Sequence, residues 1–444
     1  MSLLPLVLQL PADVVEMHAG DVDRDGYDEL VIVSMTEQPP RRDAVTLTIL
    51  QLDDKLATSE LRLGDEALFW DLVDGLVVLD AHGFAELALD GTRTRLASFD
   101  SGLGGLGSTT PRKGALGHDL DDDGRRELLA WSGAQLAAFT RDGTPIGTVH
   151  EAGLGHLTTS TSEHQVSLGV HASAHDARLV DVDGDGLRDV VFARDREAVV
   201  HVSAHDHIGA RRSVIELPLD LDPRDDGSLA KGETQREIEH VWLEDVNGDG
   251  RADLTLMRSV LAGSWFGSTS ELLFYPGTGS GFGSAQVRRF DAQAADPFLL
   301  DADQDGDQDL VLPLVDVNVA NIVKALVARE VTIEVSVLEM DGVFGPAQHV
   351  IDVDLGIEAT DALLFELQED LTGDGRPDLV LGTDDGVEVF ASEGIGLARQ
   401  PSFVADLSLP PDAQLLVHDF DRDGLGELLV WSRHTPRATL LRTR

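Results

Sequence analysis

A nine-residue segment of one pattern occurs seven times in this chain. Its clearest copy is Asp181-Val182-Asp183-Gly184-Asp185-Gly186-Leu187-Arg188-Asp189. Oxygen-bearing side chains occupy positions 1, 3, 5 and 9, and glycine occupies position 6. The copies, numbered loop 1 to loop 7 in chain order, begin at Asp21, Asp119, Asp181, Asp245, Asp301, Asp370 and Asp419. The position 6 residues are Gly26, Gly124, Gly186, Gly250, Gly306, Gly375 and Gly424. Seven copies in one register indicate a repeat protein in which each copy adopts the same local conformation.

The pattern predicts loops that converge oxygen atoms on a cation. In a tight loop the side chains at positions 1, 3 and 5 point inward, and glycine at position 6 permits a turn that other residues resist. The backbone carbonyl at position 7 then faces the same point, and the carboxylate at position 9 completes the shell. Oxygen ligands in this number suit Ca²⁺ better than Mg²⁺, which demands a stricter octahedron and keeps its waters. The predicted ligands, with the position 7 residue contributing its carbonyl, are Asp21, Asp23, Asp25, Tyr27 and Glu29; Asp119, Asp121, Asp123, Arg125 and Glu127; Asp181, Asp183, Asp185, Leu187 and Asp189; Asp245, Asn247, Asp249, Arg251 and Asp253; Asp301, Asp303, Asp305, Asp307 and Asp309; Asp370, Thr372, Asp374, Arg376 and Asp378; Asp419, Asp421, Asp423, Leu425 and Glu427.

The main alternative for such loops is the EF-hand, which shares the opening Asp-x-Asp-x-Asp-Gly. An EF-hand requires a bidentate Glu at position 12, between two helices. Position 12 is apolar in all seven copies: Ile32, Ala130, Phe192, Leu256, Leu312, Leu381 and Val430. Short apolar runs such as Leu30–Val33 follow the loops and are typical of buried strands. The repeating unit is therefore predicted to be strand, calcium loop, strand, with Thr372 marking the weakest copy because a hydroxyl replaces a charged ligand.

The spacing of the loops predicts a β-propeller. Successive loops begin 98, 62, 64, 56, 69 and 49 residues apart, so the first gap has room for a hidden repeat. Residues 66–99 supply four short predicted strands around Val73-Asp74-Gly75, a shrunken loop that has lost its metal site. The other repeats also divide into four strands, as in Glu239–Glu244, Asp253–Met257, Glu271–Tyr275 and Ala285–Phe290 around loop 4. Four-stranded antiparallel repeats of this length are typical of propeller blades.

The ends of the chain predict how the ring closes. The last repeat supplies only three strands, while Leu3–Leu10 is an unassigned strand before loop 1. This strand is expected to complete the last blade and remove its exposed edge. We therefore predict an all-β chain, with residues 1–444 forming one propeller of eight blades, or of seven if residues 66–99 pack as an insertion. A short helical insertion is predicted at about 317–328.

The repeats resemble the FG-GAP/VCBS family, whose calcium-loop propellers include those of integrin α subunits. The segments Gly279-Ser280-Gly281-Phe282-Gly283-Ser284-Ala285 and Gly342-Val343-Phe344-Gly345-Pro346-Ala347 match the Phe-Gly segment for which the family is named. The resemblance covers nearly the whole chain and implies the propeller fold and structural Ca²⁺. It does not identify one function, because such propellers serve adhesion, carbohydrate binding, scaffolding and sometimes lyase chemistry.

Charge and composition limit the partners of the chain. The formal net charge is −46, and seven Ca²⁺ ions would reduce it only to −32. A surface of this sign disfavours nucleic acid and anionic membranes as partners. No apolar run reaches the length of a membrane helix, and Met1–Leu10 lacks the basic region and the cleavage site of a signal peptide. Because weak calcium sites stay empty at cytosolic Ca²⁺ levels, we nevertheless expect an extracellular or cell-surface protein.

The strand order predicts where a ligand binds. In a four-stranded meander the loops between strands 1 and 2 share one face with the turns between strands 3 and 4. The long connections, such as Val149–Asp176 and Pro313–Arg329, then fall on the opposite face. A protein or glycan is expected to bind there, because function tends to lie on loops held by a rigid scaffold. The chain has no cysteine, no Gly-x-Ser-x-Gly and no phosphate-binding loop, so we expect a binding module that is not an enzyme. A polysaccharide lyase or hydrolase, and a structural module of a larger surface assembly, are the alternatives.

Overall fold

The computed structural model describes residues 3–36, 44–52, 56–64, 66–101, 110–132, 135–150, 154–162, 165–173, 177–194, 196–205, 207–219, 235–261, 269–316, 330–356, 365–366, 369–383, 386–393, 396–398, 400–410 and 412–443. Within these ranges every regular element is a β-strand, so the predicted all-β class is confirmed. No helix of membrane-spanning length and apolarity occurs in this part of the chain. The predicted helix at 317–328 lies outside the described residues.

The first half of the chain forms a single strand and then four sheets. The strand β1 is Leu3–Gln9. The sheets, called blades 1 to 4, are β2 to β5 (Val14–Gly20, Glu29–Thr36, Ala44–Leu50, Thr58–Arg62); β6 to β9 (Ala67–Leu72, Leu76–Asp80, Gly83–Leu87, Arg93–Ser98) with β10 (Arg112–Lys113); β11 to β14 (Gly117–His118, Glu127–Ser132, Gln135–Phe139, Pro145–His150); and, after a ribbon of β15 and β16 (Leu154–Ser162, Gln165–Ser173), β17 to β20 (Ala177–Val180, Asp189–Arg194, Glu197–Ala204, His207–Glu216).

The second half forms four more sheets, of which the last recruits the first strand. Blade 5 is β21 to β23 with β26 (Gln235–Glu244, Asp253–Leu261, Thr269–Tyr275, Gln286–Phe290), interrupted by a hairpin of β24 and β25 (Gly277–Thr278, Gly281–Phe282). Blade 6 is β27 to β31 (Gln293–Ala294, Phe298–Leu300, Asp309–Val315, Glu330–Leu338, Gln348–Gly356). Blade 7 is β32 to β34 with β37 (Phe365–Glu366, Leu379–Thr383, Gly386–Phe390, Phe403–Ala405), interrupted by β35 and β36 (Ser392–Glu393, Gly396–Leu397). Blade 8 is β38 to β40 (Ala413–His418, Glu427–Ser432, Arg437–Thr443) with β1.

The strand after each loop forms the buried middle of its blade. In β3 the six residues Glu29–Ser34 are all buried, and in β39 all six residues are buried. Such a strand has hydrogen-bonding neighbours on both edges and blades packed on both faces. A continuous apolar run suits this position better than alternation does. The apolar position 12 residues that exclude an EF-hand are therefore core residues of these strands.

The N-terminal strand closes the ring as predicted. β1 pairs antiparallel with β40 from Leu3 opposite Thr443 to Gln9 opposite Arg437. Leu8 on the first strand and Leu10 just after it share a core cluster with Leu30 of blade 1 and Trp431 of blade 8. The two ends of the chain are thus held together by a ladder of backbone hydrogen bonds and by apolar packing.

The apolar core is divided among the junctions between blades. The described residues form eight clusters, and each cluster joins two neighbouring blades. Blades 1 and 2, for example, share a cluster in which Trp70 of blade 2 contacts the core of blade 1. Eight junctions without a break correspond to eight blades in a closed ring, so the seven-bladed alternative is wrong.

Blade 2 has the strands predicted for residues 66–99 but one unexpected addition. The observed strands begin and end within three residues of the predicted ones. β10, from the start of the next repeat, pairs parallel to β6 and gives this blade a fifth strand. Buried Asp71 explains the addition, because its carboxylate accepts bonds from the Leu116 and Gly117 amides at 2.7 and 3.2 Å and from the Lys113 ammonium at 3.2 Å.

Candidate metal centres

The position 1 carboxylate organises the backbone of every loop. In all seven copies its Oδ2 accepts a bond from the position 6 amide, at 2.6–3.2 Å. Its Oδ1 accepts from the amide of position 4 or 5, at 2.5–3.2 Å. The position 5 carboxylate accepts from the position 7 amide, at 2.8–3.1 Å. The seven loops therefore share one hydrogen-bonding scheme, as their common register predicts.

Two positions in each loop have left-handed backbone. The position 6 glycines have φ between 80° and 99°, and a Cβ added to any of them would meet nothing within 4 Å. Glycine is thus needed at position 6 for its conformation and not for space. Position 4 is also left-handed, with φ of 55–82° at Arg24, Asp122, Gly184, Gly248, Gln304, Gly373 and Arg422. This second turn was not predicted, although glycine at three of the seven position 4 residues indicates it.

The position 9 carboxylate ties the loop to its own blade. In all seven copies one oxygen accepts a bond from the position 2 amide, at 2.8–3.1 Å. In the four copies with Asp at this position, the other oxygen accepts from an amide at the end of the third strand or just after it, at 2.6–3.2 Å. These amides belong to Ser203, Gly277, Met340 and Ser392. The bonds show that the loops and the turns between strands 3 and 4 lie on one face of the ring, as predicted from strand order.

The predicted side-chain ligands converge. One oxygen from each of Asp21, Asp23 and Glu29 lies within 4.8 Å of the other two. Equivalent groups form in loops 2, 3, 5 and 6, with members Asp119, Asp121 and Glu127; Asp181, Asp183 and Asp189; Asp301, Asp303 and Asp305; Asp370, Asp374 and Asp378. Two oxygens bound to one Ca²⁺ at about 2.4 Å lie at most about 4.8 Å apart, so the groups have the dimensions of a calcium shell. The ligand role of the position 7 carbonyls stays a prediction.

Some of these oxygens are buried with their hydrogen-bonding capacity unused. Within the described part of the chain, Oδ1 of Asp183, Asp303 and Asp307 is buried and has no hydrogen-bond partner. A buried carboxylate oxygen without a partner is costly unless a cation satisfies it. Ions have a route to the loops, since a half-open cavity of about 330 Å³ between loops 1 and 7 is lined by Asp25, Glu29, Asp421 and Glu427. The residues present therefore fit a hard divalent cation.

Two loops depart from the common scheme in opposite directions. In loop 5 a fifth carboxylate, Asp307, occupies position 7, and burial followed by its contact with Asp305 raises the Asp307 pKa to about 7. In loop 6 the hydroxyl of Thr372 donates to Oδ1 of Asp378 at 3.2 Å. Loop 5 thus concentrates more negative charge than the pattern requires. In loop 6 the position 3 oxygen belongs to a hydroxyl that is engaged in a hydrogen bond with Asp378. This contact is consistent with the prediction that loop 6 is the weakest of the seven calcium sites.

The loops are also joined to one another around the ring. The position 8 amide donates to a carbonyl at position 1 or 2 of the preceding loop at 2.7–3.3 Å, from Arg188 to Leu120, Ala252 to Asp181, Gln308 to Val246, Gly426 to Asp370 and Asp28 to Phe420. The Gln304 side-chain amide links loop 5 to the Gly375 carbonyl of loop 6. Between loops 7 and 1, Asp28 also accepts bonds from His418 at 2.6 Å and Arg422 at 3.0 Å. This belt of linked loops was not predicted, because hydrogen bonds between distant loops leave no pattern in either segment.

Burial raises the pKa of the carboxylate that closes the loops. It raises the pKa of Glu29 and of Glu427 to about 7, and the charges of the other loop carboxylates add to this effect. It raises the pKa of Asp189, Asp253 and Asp309 to about 6. Without a cation the loops therefore hold protons at a pH where ordinary carboxylates are ionised.

These shifts predict how the stability of the metal-free protein depends on pH. The folded pKa values of about 6–7 lie above ordinary carboxylate values near 4, so the folded state binds more protons than the unfolded state between these limits. This contribution to stability is present at low pH and is lost as pH rises through the folded pKa values. We expect the urea midpoint in chelator to be higher at pH 5.5 than at pH 7.5. Glu427→Gln should weaken this dependence, and a midpoint that falls on acidification over this range would contradict the assignment.

One part of the chain matches a known family. Residues 370–430, from the start of loop 6 to the middle of blade 8, match the family model of the FG-GAP-like repeat. The chain is therefore an eight-bladed propeller that contains an FG-GAP-like repeat. The two named Phe-Gly segments form equivalent structures in it, since Phe282 belongs to the β24–β25 hairpin and Phe344 forms an isolated bridge with Met340. The β35–β36 hairpin takes the same place in blade 7 without a phenylalanine.

Other comparisons give only distant similarities for this propeller. No curated protein matches the chain. A lectin of Agrocybe aegerita that recognises non-reducing terminal N-acetylglucosamine aligns with 88% of this chain and 79% of its own, at 15% identity and a TM-score of 0.36. A Trypanosoma rangeli sialidase in complex with the inhibitor DANA aligns with 98% of this chain and 55% of its own, at 9% identity and a TM-score of 0.28. Scores this low carry no argument about ligand or activity.

Proposed function

We propose that this FG-GAP propeller is a calcium-stabilised binding module that is not an enzyme. The observation that carries the proposal is the repetition of one oxygen-lined geometry in seven loops. Structural calcium accounts for that repetition, because in every loop the backbone amides donate hydrogen bonds that hold the carboxylates in place. A catalytic site, by contrast, needs a unique arrangement of groups, and the seven loops are alike.

Calcium supports the fold in this proposal by neutralising the loops. Side chains at positions 1, 3, 5 and 9 would hold the ion, and the position 9 carboxylate would connect it to the buried second strand of the blade. The carboxylate oxygens within 4.8 Å of one another would otherwise repel. Because each loop is bonded to the next, an ion in one blade would also steady the junction with its neighbour. The donor set contains oxygen only, which favours Ca²⁺ over transition metals.

The ligand is proposed to bind on the face opposite the calcium loops. The antiparallel order of each blade puts the connections between strands 2 and 3, and those between blades, on that face. Several of the longest connections lie outside the described residues. A protein or a glycan fits this proposal better than a nucleic acid or an anionic membrane, because the residual charge with seven ions bound would still be −32. An extracellular or surface location, where Ca²⁺ is abundant, completes the proposal.

The absence of cysteine permits a direct test of the binding face. A single cysteine at His434 lies on the opposite face, between β39 and β40, where the His434 side chain is 83% exposed. A single cysteine at Tyr27 lies on the calcium face, where Tyr27 is 57% exposed. The calcium-loaded protein is first screened on a glycan array and against extracellular protein fractions. Each cysteine variant is then coupled to a bulky polyethylene glycol.

We expect binding to a glycan or protein that the label at position 434 reduces and the label at position 27 leaves unchanged. The opposite result would place the ligand-binding site on the face that carries the calcium loops. Release of product from a polysaccharide would contradict the non-enzymatic reading. Absence of any ligand in both screens would contradict the binding module and favour a structural role.

A further inference from the structure

Blade 2 is built without an oxygen-lined loop. Its first two strands are joined by the turn Val73-Asp74-Gly75, in which Asp74 is exposed and the Val73 amide donates to the Gly75 carbonyl at 2.8 Å. We propose that two arginines from the neighbouring blades, Arg24 and Arg141, replace the calcium ion in this blade. Blade 2 would then bind no metal and would keep its structure when calcium is removed.

The two guanidinium groups reach the turn from opposite sides. Arg141, in the turn between β13 and β14 of blade 3, donates from Nε to the Val73 carbonyl at 2.8 Å and from Nη2 to the Asp74 carbonyl at 3.0 Å. Arg24, at position 4 of loop 1, donates from Nε to the same Asp74 carbonyl at 2.5 Å. The turn is thus held by cations of both adjacent blades.

A partly buried acid, Glu86, joins the two arginines. Oε1 of Glu86, on β8 of blade 2, pairs with Nη2 of Arg24 and lies 3.4 Å from Nη2 of Arg141. The Arg141 side chain is only 18% exposed, so its donors are withdrawn from water and committed to these acceptors. Charge-assisted bonds of this kind are stronger than neutral ones, and guanidinium can satisfy several acceptors at once. Gly75 has a φ of 107°, which favours glycine, and a Cβ there would also lie 3.2 Å from the Arg24 Nε.

A third arginine also contacts the end of the first strand of blade 2, just before the turn. Arg126, at position 8 of loop 2, donates from Nη1 to the Leu72 carbonyl at 3.4 Å. The Gly75 amide meanwhile donates to the Asp21 carbonyl of loop 1 at 3.1 Å. The belt of linked loops therefore passes through blade 2 without interruption, and protein cations take the place that a metal ion is proposed to take in the other seven blades.

Hydrogen exchange tests the inference, which rests on the proposed function only for its comparison with the other blades. The full chain is measured with Ca²⁺ and in chelator. We expect chelation to speed exchange in the second strands of the calcium blades by about tenfold or more, and in residues 67–98 by less than about threefold, because local opening follows local stability. Equal loss of protection in residues 67–98 would overturn the proposal.

Variants separate the arginines from the metal. Arg141→Ala should speed exchange in residues 67–98 by about tenfold in both buffers, since it removes the donor to the Val73 carbonyl and leaves the Asp74 carbonyl and Glu86 with Arg24 alone. Arg141→Lys keeps the positive charge but loses the planar, forked donors of the guanidinium, and should give a smaller increase in the exchange rate. Arg62→Ala, which removes an exposed arginine from β5 of blade 1, is the matched control and should change nothing.

The two proposals fail in different ways. If calcium alters no peptide, the calcium proposal fails, and Arg141→Ala alone then decides whether the arginines hold blade 2. Unchanged exchange in that variant would overturn their role. If Arg141→Ala does not fold, Glu86→Gln is the milder variant, and it should loosen residues 67–98 equally with and without calcium.

Discussion

Removal of calcium is expected to lower the melting temperature of the FG-GAP propeller by about 10–20 °C. A ligand that binds only the folded state contributes about 2.7 kcal/mol per site at a hundredfold excess over Kd. Unfolding entropy is about 2.1 cal/mol/K per residue, so a chain of this size shifts by about 3 °C for each such site. Several occupied sites are therefore enough to give the expected change.

The melt is measured by calorimetry on chelated protein, with millimolar Ca²⁺ or Mg²⁺ added back. Ca²⁺ should restore the full melting temperature and Mg²⁺ only part of it, because Mg²⁺ tolerates these flexible oxygen loops less well. Asp142→Asn, outside the loops, serves as a control for a lost negative charge. Equal rescue by the two ions would contradict a calcium-specific role, and no rescue by either would contradict structural metal.

Deletion of residues 1–10 is the second change expected to have a large effect. It removes β1 and with it Leu8 and Leu10 from the cluster that joins blades 8 and 1. It also exposes the edge of β40, over buried Leu440. We expect loss of the cooperative transition and a tendency to aggregate, measured by calorimetry and light scattering.

Two controls separate ring closure from simple truncation. A circular permutant that appends residues 3–10 after Arg444 through a short turn should recover the transition, because Leu3 already lies opposite Thr443. The effects of single substitutions in β1 should follow the alternating burial of its side chains. Leu8→Ala, at 4% exposed, should cost about 2–5 kcal/mol, whereas Val7→Ala, at 55% exposed, should cost little. A permutant as unstable as the deletion would contradict closure by this strand.

Much of the architecture could be predicted because short sequence patterns determine the loops and the strands that follow them. The seven loops share a register, and the apolar runs after them are buried second strands, so the fold class, the position of most strands and the unpaired first strand followed from the sequence. Strand ends were less predictable, since the first two strands of blade 5 are Gln235–Glu244 and Asp253–Leu261 and both extend four residues beyond their predicted bounds. Blade 2 was predicted without a metal loop, since residues 66–99 still supply four short strand-like runs. Eight blades could not be distinguished from seven by sequence alone, because the count depends on whether residues 66–99 join the ring.

The missed features are contacts between segments far apart in the chain. Asp189 bridges loop 3 to Ser203, and Arg24 of loop 1 serves blade 2. Neither role has a signature in its own segment, because the loop pattern indicates position 9 only as a metal ligand and an arginine at position 4 is equally consistent with a solvent-facing side chain. The position 8 amides that link the loops leave no pattern for a further reason, since every residue except proline supplies a backbone amide.

The number of calcium ions per chain tests the central claim most directly. Native mass spectrometry after equilibration with millimolar Ca²⁺ should give seven, and Asp181→Asn should give six because it removes the carboxylate that organises loop 3. Asp142→Asn should retain seven. A count of zero would contradict the calcium assignment, and a count of eight would place an ion in blade 2 and contradict the role of its arginines.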